Sequence, residues 1–304
     1  MAEVDPEVDP ESKFVETLPW HVVVLDQLEN VLSRGRLPNA IALVCPTGWG
    51  LASLSERVVQ IVAELDPEQI PSQLAHQDVR WIEPEGAVLK IDQIRRINEF
   101  AVHTVQSAPR KVALVLHADR LNANAANALL KTLEEPPGNT HIVLATEHWA
   151  KLMPTIRSRC QRWNVRPDAN LALRWLQERN DAVDSDRFAD AGFAPLLYDN
   201  ESMPITALLA QLQQSTLGQI VKAEDLTTTD FLARWYRHTV RLTADSLSGR
   251  GPEDERKTAA EGLQRIGEKI LDVRRQLLSS NAANETLLLE DLTQGWRKSG
   301  NPGS

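Results

Sequence analysis

Cysteine is almost missing. The chain has 304 residues and only two cysteines, Cys45 and Cys160, which excludes a disulfide framework and a four-cysteine zinc site. No apolar stretch approaches the roughly 20 residues that a membrane span requires. The first residues carry neither a basic n-region nor an apolar core of a signal peptide. Together these point to a reducing, cytoplasmic setting without a membrane partner. Positive charge is also scarce: 33 Lys and Arg stand against 42 Asp and Glu, a formal charge of −9. A lone nucleic-acid binder shows a broad basic footprint, and this chain has none. What is present is apolar material, 42% of residues, enough for a sizeable core. The length suits two or three domains.

Residues 1–14 repeat a short acidic, proline-containing unit and read as a disordered acidic tail; residues 299–304 read as a second tail. Between them the pattern changes once. Apolar runs of strand length at 41–45, 112–116 and 142–145 are rich in Val, Ile and Leu, as in parallel strands covered on both faces. After Gly50, the residues Leu54, Val58, Ile61, Val62 and Leu65 form one helical stripe. A further helix is predicted over 124–135, with Ala126, Leu129, Leu130 and Leu133 on one face. Asn122 or Asn124 caps it, and Pro136, Pro137 and Gly138 stop it. This alternation predicts an α/β region with a mainly parallel sheet. Beyond Pro167 strand signals vanish, so the second half reads as all-α, a small module followed by a bundle.

The run at 41–45 leads into Cys45, Pro46, Thr47, Gly48, Trp49, Gly50, Leu51, Ala52 and Ser53, then a helix. Strand, glycine loop and helix N-terminus form the frame that cradles nucleotide phosphates. The working motif is Gly-x-x-x-x-Gly-Lys-Ser/Thr. Here Cys45 replaces the first glycine, Gly50 matches the second, Leu51 replaces the lysine and Ala52 the hydroxyl residue. Neither Leu nor Ala can reach phosphate or hold Mg²⁺. The run at 112–116 repeats the loss. A working ATPase ends that strand with an Asp for the metal and a residue that orients water, whereas this chain has Leu116 and His117, with Asp119 further on. Pattern alone leaves an ordinary strand-to-helix turn open beside a degenerate phosphate loop.

Arg157, Arg159, Arg162 and Arg166 concentrate positive charge in one polar turn. A guanidinium on a rigid element suits a phosphoryl group, and solvated arginines with carboxylate partners fit the spacing equally. Cys160 reads as a small buried hydrophobe rather than a nucleophile.

The segments 112–116, 121–137 and 152–160 together resemble subunits of the bacterial DNA polymerase III clamp loader, of the AAA+ class. The likeness runs from about residue 18 to about residue 292. The run 126–137 and the triplet Ser158, Arg159, Cys160 carry most of it. ATPase members of that family keep a lysine where Leu51 stands. The resemblance implies an AAA+ module over 15–167, a small helical lid over 168–202 and an all-α collar domain over 203–298 that holds five subunits in an arc. It implies a stator that does not hydrolyse ATP and needs no cofactor or metal. Its partners would be the tau/gamma ATPase subunits and the delta subunit, with the sliding clamp and primed DNA met through the complex. Carried over, Arg159 is a trans-acting arginine finger whose turn Ser158 and Cys160 shape. Thr146 falls near the position of a phosphate sensor and is assigned no role. Many relatives insert a four-cysteine zinc module after the first helix; residues 63–78 have no cysteine, and His76 alone cannot hold zinc. A catalytically active AAA+ ATPase with an unusual phosphate loop remains the alternative.

Overall fold

Three apolar runs become the centre of a five-stranded parallel sheet in the computed structural model. It describes residues 15–86, 88–137, 139–180, 182–201, 203–212, 214–249, 252–278 and 285–298. The two tails expected at 1–14 and 299–304 lie outside these residues. The chain divides into two compact units between Leu171 and Ala172.

The first unit holds β1 (Ala40–Val44), β2 (Val79–Ile82), β3 (Lys111–Val115), β4 (Thr140–Thr146) and β5 (Gln161–Asn164), in the order β2-β3-β4-β1-β5. Every pairing is parallel. The three inner strands are buried along their whole length, which explains their unbroken apolar composition. The sequence reading missed β2 and β5. Both are edge strands of four residues with partly exposed faces, and β5 crosses part of the stretch read as a cationic turn. Charged side chains on an edge strand also discourage pairing with another chain.

α1 (Val22–Ser33) leads into β1, and α2 (Leu51–Ala63), α3 (Ile91–Val102), α4 (Ala123–Glu134) and α5 (Pro154–Arg157) lie between the strands. α2 ends before Leu65, because Glu64 turns left-handed at φ 53°. α4 is capped by Asn122, whose side chain accepts the Ala125 N–H at 2.8 Å; Asn124 lies inside the helix. Its buried face, Ala125, Ala126, Leu129 and Leu133, shares one core with Ile94, Ile97 and Phe100 of α3 and with Ile156 of α5. An unforeseen member of this layer is Lys111, 1% exposed. Its ammonium donates to the carbonyls of Phe100, Ala101 and His103 and lies 4.3 Å from the Phe100 ring centroid. It thus closes the C-terminal end of α3, where a cation suits the helix dipole.

The second unit is helical: α6 (Ala169–Arg179) crosses the division, and α7 (Ser185–Asp190), α8 (Pro195–Asn200), α9 (Ile205–Gln211), α10 (Leu217–Ala223), α11 (Thr228–Ser248), α12 (Glu253–Leu278) and α13 (Glu285–Lys298) follow. Edge-to-face rings run from Phe231 through Trp235 to Trp296, with centroids 6.0 and 5.3 Å apart. They sit in a core with Leu208, Ile220, Ile270 and Leu292. The helices before and after residue 202 belong to this one unit, and buried charges join them. Asp190 accepts from His238 Nδ1 at 2.8 Å and from Arg241 Nε at 2.6 Å. Glu201 accepts from Arg237 Nη2 at 2.5 Å and pairs with Arg234 Nε at 3.3 Å. Burial pushes the Asp190 carboxyl up, but the hydrogen bond and charge of His238, followed by those of Arg241, outweigh it and hold the group below the usual carboxylate range. Among the described residues, no helix is long and apolar enough to cross a membrane.

Asp190→Ala strands the Arg241 and His238 donors, and removal of one partner from a buried pair costs about 3 kcal/mol. Denaturant unfolding should show that loss, while Asp245→Ala, whose side chain is 62% exposed, should change stability by less than about 0.5 kcal/mol.

Candidate functional site

β1 delivers the chain into the glycine loop with its ladder still engaged, the Cys45 N–H donating to the Thr146 carbonyl at 3.0 Å. The Trp49 N–H then closes a turn on the Pro46 carbonyl at 3.1 Å. Gly48 and Gly50 both adopt positive φ, 78° and 85°, a region closed to most side chains. Gly50 is also the N-cap of α2 and offers it no side-chain acceptor. At the lysine position Leu51 is buried at 4% exposure, while Ala52 is exposed. Burial pushes the Cys45 thiol far above its ordinary range, with Glu147 adding to the effect.

The loop is gripped from one side by the chain's own segment 18–21, which sequence reasoning did not foresee. The Trp49 carbonyl accepts two hydrogen bonds, from Trp20 Nε1 and His21 Nε2, each at 2.7 Å. The Trp20 and Trp49 rings meet edge to face at 5.3 Å. A Cβ on Gly50 would lie 2.6 Å from Leu18 Cδ1 and 3.1 Å from His21 Cε1, so any larger residue there meets strain in φ and must also push the Leu18 side chain aside. His21 is fully buried. Burial lowers its pKa to about 4 against a smaller opposing effect of the bond to Trp49. The neutral ring therefore carries its proton on Nε2, and Nδ1 is buried without a hydrogen-bond partner among the described residues.

The neighbouring strand ends are tied to each other rather than left open. The Leu116 N–H continues the sheet to the Ile82 carbonyl at 2.8 Å, and His117 turns left-handed at φ 53°. Asp119, beyond the strand end, accepts the Thr146 hydroxyl at 2.8 Å, and that hydroxyl in turn accepts the His148 N–H at 3.0 Å. Thr47 of the loop donates to Glu147 at 3.1 Å. Thr146 thus fixes the end of β4 against the turn after β3.

Arg159 lies elsewhere. It follows α5 in a turn closed by the Arg159 N–H on the Ile156 carbonyl at 3.0 Å, two residues before β5. In the parallel register Gln161 stands beside Ile41, near the start of β1, whereas the glycine loop follows the end of β1. At about 3.3 Å per residue, the strand separates the two by roughly 15 Å, at opposite edges of the sheet. The four arginines also separate. The guanidinium groups of Arg162 and Arg157 lie 4.8 and 5.8 Å from the Trp149 ring centroid. Arg159 instead meets Glu134, the last residue of α4, through Nε at 2.6 Å and through Nη2, and its Nη1 donates to the Thr155 carbonyl at 2.9 Å. Ser158 is exposed. Cys160 packs against the α3–α4 core, and burial pushes its thiol up to about 12.

Comparisons with known proteins bear on this arrangement. A family profile described as DNA polymerase III, delta subunit, matches residues 20–169. The DNA polymerase III subunit delta′ of Pseudomonas aeruginosa is 30% identical over 332 aligned positions, which cover 94% of this chain and 98% of that protein. The chain belongs to the delta-prime family of DNA polymerase III subunits. The tau subunit of Bacillus subtilis is 31% identical over 57% of this chain and 31% of its own length. A solved DNA polymerase III gamma-subunit-related protein from Thermotoga maritima shares the fold, with a TM-score of 0.51 at 22% identity, covering 90% of this chain and 99% of its own. The fold is that of the AAA+ class, followed by the helical second unit.

The His21 geometry sets a pH dependence. The unfolded chain binds a proton on this ring near 6.5, and the folded one only near pH 4. Stability from the neutral ring is therefore complete above pH 6.5 and is lost as the pH falls toward 4, by about 3 kcal/mol. His21→Gln, which keeps an N–H donor and does not titrate, should flatten this part of the profile in denaturant unfolding followed from pH 7 to 4.

Proposed function

We propose that this delta-prime family chain is a non-hydrolysing subunit of a DNA polymerase III clamp loader, and that Arg159 completes the ATP site of a neighbouring subunit. The observation that carries the reading is the separation of Arg159 from the chain's own phosphate loop. An arginine at the opposite sheet edge cannot serve a nucleotide on β1 of the same chain, but it can reach one held by the next subunit. A guanidinium there would stabilise charge on the γ-phosphate during transfer. The buried Leu51, Leu116 at the metal position and His117 beside it supply neither phosphate nor metal contacts, which supports the non-hydrolysing role. Ser158 and Cys160 hold the finger's turn.

In this reading the helices before and after residue 202 are the lid and the collar, and the leucine-rich helices from 203 onward carry assembly. The tau relative from Bacillus subtilis and a gamma relative from Buchnera aphidicola support tau/gamma ATPase subunits as partners. The delta subunit completes the complex, which meets the sliding clamp and primed DNA in the cytoplasm.

The test is a reconstituted complex. The isolated chain should show no ATP turnover above background; tight Mg-ATP binding with turnover would instead support an active ATPase. Arg159→Ala should assemble normally. Arginine fingers are worth roughly 10³–10⁵ in rate at their own site, but only one of several sites faces this subunit. DNA-stimulated turnover should therefore fall partially and clamp loading more severely. Arg159→Lys should rescue poorly, since an ammonium lacks the planar fork. Arg162→Ala, with its guanidinium on Trp149, serves as the charge control. Loading at the unmutated rate by Arg159→Ala would remove the finger from the mechanism.

A further inference from the structure

We infer that Glu134 is the positioning residue that aims Arg159, an inference that rests on the finger reading above. The arginine is not a loose surface side chain. Its Nε and Nη2 both donate to Glu134 Oε1, and its Nη1 donates to the Thr155 carbonyl. Of the five guanidinium N–H groups, these bonds and a longer one from Nη1 to Ser158 Oγ at 3.4 Å take four and fix the plane of the group. The committed edge is the inner one, Nε and Nη2. The remaining N–H sits on Nη2, and the Nη1 bond to Ser158 is the longest of the set, so the outer pair of nitrogens, Nη1 and Nη2, keeps the fork suited to a phosphoryl group. The side chain keeps 32% of its surface exposed, so a ligand can approach it without displacing Glu134.

The support itself is rigid. Glu134 closes α4, whose last turn carries the buried Leu133. Thr132, two residues earlier, donates to Asn98 of α3 at 2.7 Å, and Asn98 donates back to the Ala128 carbonyl at 3.0 Å. On the arginine's side, Ile156 and Cys160 enter the same core as Leu129 and Leu133. Both ends of the ion pair are thus mounted on one packed layer. A carboxylate in the last turn of a helix opposes the helix dipole, a position that a nearby cation makes tolerable. A half-exposed pair of this kind contributes little to folding, so its consequence lies in orientation.

Clamp-loading rate and the ATP kcat and KM of complexes reconstituted with the neighbouring ATPase subunit test this. Glu134→Ala should slow loading roughly fivefold, the scale of a coupling between contacting residues, through kcat with KM unchanged. The melting temperature of the chain should hardly move. Glu134→Gln keeps an acceptor at the same reach and should retain most of the rate; Glu134→Asp is one methylene shorter and should resemble Glu134→Ala. With Arg159→Ala already in place, Glu134→Ala should cause no further loss. An unchanged or faster rate for Glu134→Ala overturns the inference, as does an undiminished loss in the Arg159→Ala background. If Arg159→Ala is itself without effect, the finger reading fails; if Arg159→Ala is slow and Glu134→Ala is not, only the role of Glu134 fails.

Discussion

All five strands run parallel, so every strand ends at one edge of the sheet and every connection must return the chain to the other. The rest of the first unit depends on this. Loops that follow strands gather at one edge: the glycine loop after β1, the left-handed turn at His117 after β3, and Thr146 at the end of β4. Helices that follow those loops end at the opposite edge, which is where α4 leaves Glu134 and where α5 hands the chain to β5. Two motifs far apart in sequence, the end of α4 and the Ser158, Arg159, Cys160 triplet, are brought into contact by topology alone. The same topology keeps the arginine away from the loop of its own chain.

At the loop edge the contacts come from the protein's own side chains. A phosphate loop works by presenting backbone N–H groups and a lysine to an anion. Here one loop carbonyl, that of Trp49, is engaged by an indole and an imidazole N–H, and the lysine position is filled by a buried leucine. These contacts hold the loop from the side of segment 18–21. They also make His21 a buried neutral group whose ring has no second hydrogen-bond partner among the described residues, so the fixed loop exacts its cost in acid.

The parts of this fold that were legible in sequence are those where burial is complete. The runs at 41–45, 112–116 and 142–145 became β1, β3 and β4 with ends shifted by one or two residues, because strands covered on both faces admit little but Val, Ile, Leu and Ala. β2 and β5 were not legible, since an edge strand needs only one apolar face: Arg80 and Trp81 break the one and Gln161 and Arg162 the other. The candidate site divides in the same way. Leu51, Gly50, Leu116 and His117 could be placed by spacing along the chain. The grip of Leu18, Trp20 and His21 on the loop could not, because it joins residues 28 or more positions apart. Nor could the pairing of Thr146 with Asp119 or of Arg159 with Glu134. Buried charge gives no one-dimensional signal either. Nothing in the sequence pattern singles out Asp190, Glu201, His238, Arg241 or Lys111; packing sets each of the carboxylates against its cations and the lysine against three carbonyls.

The contrast between these charges bears on what Arg159 can do. Arg237 and Arg241 are committed to carboxylates that are only 6% exposed, and pulling either away would strip a buried carboxylate of one of its partners, a loss of several kcal/mol. Such groups can stiffen a unit but cannot be lent to a ligand. Arg159 is paired with a carboxylate that is 49% exposed, so water can solvate Glu134 whenever the guanidinium shifts its bonds toward an incoming anion, and the exchange is nearly balanced. The proposed action of Arg159 on a neighbour's phosphate calls for this combination: a frame packed firmly enough to set its direction, and a counter-ion wet enough to share it.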